Sequence, residues 1–351
     1  MEAETGQEQR QAWQAGVLPP VEQVVPGLWS IPVPIPDNPL RYTLVYAFVL
    51  AREAGVVLVD AGWDSEETWQ ALVSGLATIG VTPADVHGVA VTHMHPDHHG
   101  LARRVHAASG AWVALHPEDA EQLRRIDPDT AVQHNRNWLL AAGVPAAMAS
   151  ELAGSPEMVR PFLSFARPDR LVRDGDRLPV PGWDVRVVWT PGHTPGHICL
   201  YERERKLLLS GDHVLPRISP NISQQGSDGV PLRAYLDSLT KVTEYEVGEV
   251  LPAHQWRFRE LGERVTELQE HHHERLAELE TLIQHEPGRT TWDLTAAATW
   301  SRPWSEIRGF MRRAALGETS AHLHVLAHGG RVRHATGPPE RWFAADTAPA
   351  S

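Results

Sequence analysis

Apolar and polar residues change their period along the chain, and the changes outline alternating strands and helices. Thr43 to Leu50 and Val56 to Asp60 are short β-prone runs separated by "AREAG", the pattern of a hairpin. From Ser65 to Gly80 the period becomes helical: Trp69, Leu72, Val73, Leu76 and Ile79 share a face, Ser65 is placed to cap and Gly80 to end the helix. A strand is expected at Val89 to Thr92, a helix at Leu101 to Gly110 and a strand at Ala111 to Leu115. Glu118 to about Pro168 reads as mostly helical. Strand signals return in "WDVRVVWTPGH", "HICLYERERKLLLSGD" and "GEVLPAH", each holding a histidine or aspartate beside glycine or proline. Alternation of this kind specifies an α/β fold, with polar groups gathered at strand ends where binding sites are built.

The flanks differ in texture. "LWSIPVPIPDNPLRY" carries prolines that cannot donate to a ladder, so it reads as an edge strand or extended entry segment. Beyond Trp256 the chain turns helical and charged, with Val265, Leu268, Leu276, Leu279 and Leu282 as apolar positions and His271 to His273 expected on a solvated face. A small hairpin is expected around Gly329 and Gly330. The organisation expected is a polar leader at 1–19, a main domain at 20–260 with a helical insertion near 118–168, and a C-terminal domain at 261–351. Trp138, Met148 and Phe162 of the insertion either roof the site or bury as helix core.

Composition narrows the function. A length of 351 residues suits one large domain and a small one. The net charge of -12 opposes attraction to phosphate backbones, so a small molecule, not nucleic acid, is the expected partner. A single cysteine, Cys199, in an apolar strand rules out an internal disulfide framework and reads as core. The start lacks a basic region followed by an apolar one, and no run approaches the roughly 18 apolar residues of a membrane span. A cytoplasmic protein is expected.

The chemistry concentrates in "VTHMHPDHHG", Val91 to Gly100. On an extended segment residues two apart point the same way, so His93 and His95 face one ion, while Asp97 and His98 turn toward a second position. Imidazole and carboxylate without cysteine suit zinc or a similar borderline ion. Histidine crowding on a surface loop is the bland alternative, but matching residues recur at later strand ends: His193 and His197, Asp212 and His213, and His254.

In order, "LVDAG", "THMHPDHHG", "TPGHTPGH", "SGDH" and "LPAH" resemble the motif series of the metallo-β-lactamase-fold hydrolases, especially the glyoxalase II-like branch, over roughly residues 20 to 258. The resemblance implies an αββα sandwich with two divalent ions at one edge, zinc foremost and iron or manganese as alternatives. It implies His93, His95 and His193 as ligands of the first ion, Asp97, His98 and His254 of the second, and Asp212 as the bridge. His197 would support its loop, and Asp60 would stand behind a ligand imidazole and orient it. His99 and His213 receive no ligand role. Two such ions 3.5 to 4 Å apart share and acidify a water, and the resulting hydroxide attacks a carbonyl or phosphoryl centre, with Asp97 orienting it.

The substrate is less legible. Where glyoxalase II carries a glycine-rich segment after the bridging aspartate, this chain has "SGDHVLPRISPNISQQGSD", which argues against glutathione and offers Arg217 as a contact for an acidic group. His95 stands where flavodiiron proteins carry a glutamate, which disfavours that oxidoreductase branch; a one-iron persulfide dioxygenase shares most of the ligands. The expected activity is hydrolysis of a thioester or a small carboxylic ester or lactone. The alternative is a metal-dependent endoribonuclease, because the tail resembles a small winged-helix domain and carries seven arginines against four acids from Ser301 onward. Arg331 and Arg333 would then meet phosphate; otherwise the tail covers the pocket or makes a dimer contact.

Overall fold

A computed structural model describes residues 5–50, 55–224, 229–335 and 337–345. Packing divides the chain into two compact units: Met1–Ile126, Arg160–Pro220 and Ser238–Val265 form one, and Asp127–Val159, Asn221–Asp237 and Thr266–Ser351 the other. The turn expected between Ala51 and Ala54 lies outside the described residues.

The first unit holds two sheets. Seven strands lie side by side in chain order: β1 (Glu22–Val25), β2 (Leu28–Pro34), β3 (Tyr42–Val49), β4 (Val56–Val59), β5 (Val86–Ala90), β6 (Trp112–Leu115) and β7 (Arg170–Leu171). The second sheet comprises β8 (Val185–Trp189), β9 (Ile198–Glu202), β10 (Leu207–Gly211) and β11 (Glu249–Pro252), ordered β11-β10-β9-β8. Pairing is antiparallel from β1 to β4 and parallel from β4 to β7. Parallel neighbours require crossovers, and helices Glu66–Thr78 and Ala102–Ser109 supply two of them. The Ser65 side chain accepts from the Thr68 N–H, the expected cap. In β2, Pro32 and Pro34 lie past the register of β1, where the missing N–H costs no ladder bond.

Alternation along β3 sets the layers. Leu44, Tyr46 and Phe48 pack with Val185, Val187, Leu200 and Leu209 of the facing sheet. Val45 and Ala47 point the other way, into Leu72, Leu76, Leu101 and Val105 of the covering helices. Each fully buried aliphatic or aromatic side chain contributes about 1.5 to 3 kcal/mol. Ser238 and Lys241 of helix Pro231–Val242 bond to the carbonyls of Pro191 and Trp189, which holds that helix against the end of β8 in the second sheet. This is the α/β sandwich expected from the sequence.

Several expectations are corrected. The polar leader contains helix Gln7–Ala15, and Gln9 is buried: its carboxamide donates to Ser30 Oγ and accepts from the Arg257 N–H, so its polarity is satisfied inside the first unit. The helical stretch near 118–168 is not one insertion into that unit. Residues 127–159 belong to the second, where Leu139, Val144, Ala149 and Leu152 pack with Leu316, and Trp138 and Met148 lie against the same cluster. Phe162 is in the first unit, beside the ring of Phe165.

In the second unit, helices Thr291–Ala297 and Gly309–His328 and the later turns of helix Leu261–His285 surround Leu279, Leu294, Leu323 and the fully buried Trp342. Gly329 and Gly330 close a helix; the hairpin follows them as β12 (Val332–Ala335) and β13 (Arg341–Ala344). His272 is also corrected. It is buried, not solvated, because it falls on the stripe of Leu268, Leu276 and Leu279, and its Nδ1 lies 3.1 Å from His322 Nε2. No helix among the described residues is long and apolar enough to cross a membrane.

Candidate metal centre

The chemistry-bearing residues stand just past the C-terminal ends of strands. Asp60 follows β4, the His93 to His98 segment follows β5, His193 follows β8, Asp212 follows β10 and His254 follows β11. Pro96 opens a single helical turn at 96–99, with the His98 and His99 N–H groups donating to the His95 carbonyl. That turn swings Asp97 and His98 away from the extended pair His93 and His95. Gly100 ends the motif because a Cβ there would sit 2.5 Å from the Pro96 carbonyl oxygen.

Three nitrogens converge first. His95 Nδ1 is 2.9 Å from His93 Nε2 and 3.0 Å from His193 Nε2. Beside them, His254 Nε2 is 3.4 Å from Asp97 Oδ2, and His98 Nε2 is 3.8 Å from the same oxygen. Asp212 lies between the two groups: Oδ2 is 3.5 Å from His193 Nε2, and Oδ1 is 3.2 Å from His254 Nε2 and 3.6 Å from His98 Nε2. Within each of the sets His93–His95–His193, His93–His98–Asp212 and Asp97–His98–His254, each residue offers one ligand atom that lies within 4.8 Å of the other two.

The far side of each ring is fixed. Asp60 accepts from the Thr92 N–H at 2.7 Å, the Thr92 hydroxyl at 3.0 Å and His98 Nδ1 at 2.8 Å. Because the Thr92 hydroxyl donates to Asp60, its oxygen accepts from His93 Nδ1 at 3.1 Å. His254 Nδ1 donates to the Tyr42 carbonyl at 2.8 Å. With Nδ1 so engaged, His93, His98 and His254 all turn Nε2 toward the centre. Thr92, the residue before His93, carries no role in the sequence reading because a single hydroxyl has no spacing signal.

His197 stays behind the centre. Its Nε2 accepts from the Asp212 N–H at 3.1 Å, and its Nδ1 pairs with the Thr190 hydroxyl at 2.9 Å. His99 packs 4.7 Å from the Phe165 ring, and His213 is buried 5.9 Å from His197. Arg217 is exposed; its backbone N–H donates to Gln255 Oε1, beside His254.

Electrostatics separates two environments. Burial, reinforced by neighbouring imidazoles, holds His93 well below its ordinary value and pushes His95 down to about 3. Burial would likewise lower His98 and His254, but Asp212, with Asp97 and, for His98, Asp60, outweighs it, raising His98 strongly and His254 to about 10. Asp97 falls to about 2 and Asp212 falls far, because the His98 and His254 charges overcome the burial that would raise them. The carboxylates thus demand positive charge beside them. Nε2 of His98, Nε2 of His254 and Oδ1 of Asp212 are buried without a well-formed hydrogen bond, a costly arrangement that divalent cations would satisfy. The donor set fits such ions.

Known proteins place this arrangement. A metallo-β-lactamase family protein from Thermus thermophilus is similar over 92% of this chain and 100% of its own, at 32% identity and a TM-score of 0.77. A β-lactamase domain protein from Burkholderia ambifaria matches 93% of this chain and 94% of its own at 26% identity and a TM-score of 0.80. A relative named acyl-coenzyme A thioesterase MBLAC2 from Gallus gallus is 34% identical over 135 residues, 38% of this chain and 44% of that protein. Residues 40–254, from before β3 to His254, match the family described as the metallo-beta-lactamase superfamily. The chain belongs to that superfamily.

Proposed function

We propose that this protein is a binuclear metal-dependent hydrolase that cleaves an acyl thioester, or a small carboxylic ester or lactone. The observation that carries the reading is Asp212, whose two oxygens face different histidine groups, Oδ2 at 3.5 Å from His193 Nε2 and Oδ1 at 3.2 Å from His254 Nε2. His93, His95 and His193 would hold one ion, Asp97, His98 and His254 the other, and Asp212 both. Zinc suits this nitrogen and oxygen set, with iron or manganese as alternatives. Such a pair supplies Lewis acidity that polarises a carbonyl and acidifies water near neutral pH.

The chain's own residues do the rest. Asp97, ionised at neutral pH by its histidine neighbours, would orient the attacking water. Burial keeps competing protons off the nitrogens of His93 and His95. Arg217, anchored through its backbone at Gln255, is the contact for an acidic part of the substrate. The thioester reading draws on the thioesterase name of the 34% identical relative, and the motif order points to the neighbourhood of the glyoxalase II-like branch.

The helices and hairpin of the second unit form a winged-helix-like module in this reading. A nuclease role for it draws no specific support, since Arg331 is paired with Glu280 and Arg333 lies over the Phe343 ring. Purified protein assayed against acyl-coenzyme A thioesters, esters, lactones and single-stranded RNA, with and without chelator, tests the proposal. Chelator-sensitive thioester or ester turnover is expected; turnover that survives complete metal removal would overturn it.

A further inference from the structure

Asp119 lies in the first turn of helix Pro117–Arg125 and is fully buried. It is no member of the ligand groups described above. Its Oδ2 accepts from the Met94 N–H at 2.8 Å and from the Thr194 hydroxyl at 2.8 Å, while Oδ1 accepts from the Gly196 N–H at 2.6 Å. Met94 sits between His93 and His95. Thr194 follows His193, and Gly196 precedes His197. One carboxylate therefore ties together the two loops that carry the convergent nitrogens of His93, His95 and His193, and these loops come from opposite sheets.

We propose that Asp119 is a positioning residue for the first metal ion: it sets the separation between the His93–His95 pair and His193. The inference rests on the binuclear reading above. Three considerations support a positioning role over a purely structural one. First, every donor that Asp119 binds is within three residues of a histidine of this group, and none belongs to the neighbouring core. Second, a buried carboxylate is the acceptor that three donors require; a neutral isostere would turn an N–H toward at least one of them. Third, the approach is tight. A Cβ on Gly196 would lie 2.5 Å from the Asp119 nitrogen and 2.6 Å from its Cγ, so residue 196 is confined to glycine by contact with this side chain.

The consequence is selective. The second group, Asp97, His98 and His254, is held by Asp60 and the Tyr42 carbonyl and makes none of these contacts. Loss of the Asp119 clamp should weaken one ion and spare the other, which general destabilisation of the fold would not do.

The test compares the full-length wild type with Asp119→Asn, an isosteric change. Zinc content per chain is measured in zinc-buffered solution, alongside the visible spectrum of the cobalt-substituted protein and the thermal midpoint of the metal-free form. Asp119→Asn is expected to bind the first ion about 10- to 100-fold more weakly, the usual scale for groups that orient ligands, with the second ion retained and the first site's cobalt bands altered. Wild-type affinity for both ions with an unchanged cobalt spectrum would overturn the inference, as would equal weakening of both. If Asp119→Asn does not fold, Thr194→Val removes one of the three bonds and should produce a smaller loss at the same ion alone; no loss there overturns the proposal. A wild type that binds no metal would instead remove the binuclear reading on which the inference stands.

Discussion

Asp212 turns Oδ2 toward His193 at 3.5 Å and Oδ1 toward His254 at 3.2 Å, so one side chain at the end of β10 addresses both halves of the centre. Its replacement should therefore act on both ions at once. Asp212→Ala is expected to lower metal content from two ions per chain to less than one and to cost more activity than the roughly 10- to 100-fold typical of supporting residues. Elemental analysis with single-turnover kinetics measures both; retention of two ions would refute the bridging role.

Asp60 permits a cleaner test of orientation. Its φ of 61° is left-handed, a conformation that asparagine also tolerates, so Asp60→Asn leaves the backbone unstrained while weakening the acceptor behind His98 and Thr92. Zinc affinity should fall by about 10- to 100-fold, read by competition with a chromophoric chelator. Unchanged affinity would mean that the ring orientation does not depend on the carboxylate charge.

In the proposed mechanism Asp97 orients the nucleophile. Asp97→Ala should nearly abolish turnover while the circular dichroism spectrum stays that of the wild type, and Asp97→Asn should lose less because it still accepts one bond. Retained turnover in the alanine variant would exclude the assigned role.

The site was more legible in the sequence than its supports were. His93, His95, Asp97, His98, His193, Asp212 and His254 announce themselves because each closes a strand with a short motif, and strand ends are where such folds gather polar groups. Asp119 carries no such mark. Its partners lie 25 to 77 residues away, and one aspartate in "HPEDAEQL" reads as an ordinary helix start. The helices at 127–159 were legible as helices, but the faces they bury could not be assigned to a unit from periodicity alone. His272 shows the opposite failure. The spacing Leu268, His272, Leu276 and Leu279 was present, yet a run of three histidines among charges hid the buried one.

That histidine gives a pH prediction. Burial, then His322, hold His272 at about 2, and burial holds His322 at about 4, both below the ordinary 6.5. His271, His273 and Arg275 add to the depression of His272. An unfolded chain binds these protons more readily than the folded one. The pair's contribution to stability is thus complete above pH 6.5 and is lost as pH falls, toward 4 for His322 and toward 2 for His272, at up to about 1.4 kcal/mol per pH unit for each histidine. In His272→Leu the loss on acidification should be shallower, so its thermal midpoint should gain on the wild type between pH 7 and pH 5. Parallel curves would show that the pair does not resist protonation.

The distribution of donors across the sandwich has a mechanical meaning. β5 of the seven-stranded sheet leads into His93, His95, Asp97 and His98, whereas β8, β10 and β11 of the other sheet lead into His193, Asp212 and His254. Each ion of the proposed pair would draw on both leaves and act as a rivet between them. Grip on the metal and cohesion of the leaves are then one free energy seen from two ends: free zinc at a hundred times its dissociation constant would tighten the sandwich by about 2.7 kcal/mol, and whatever pries the leaves apart would release the ion.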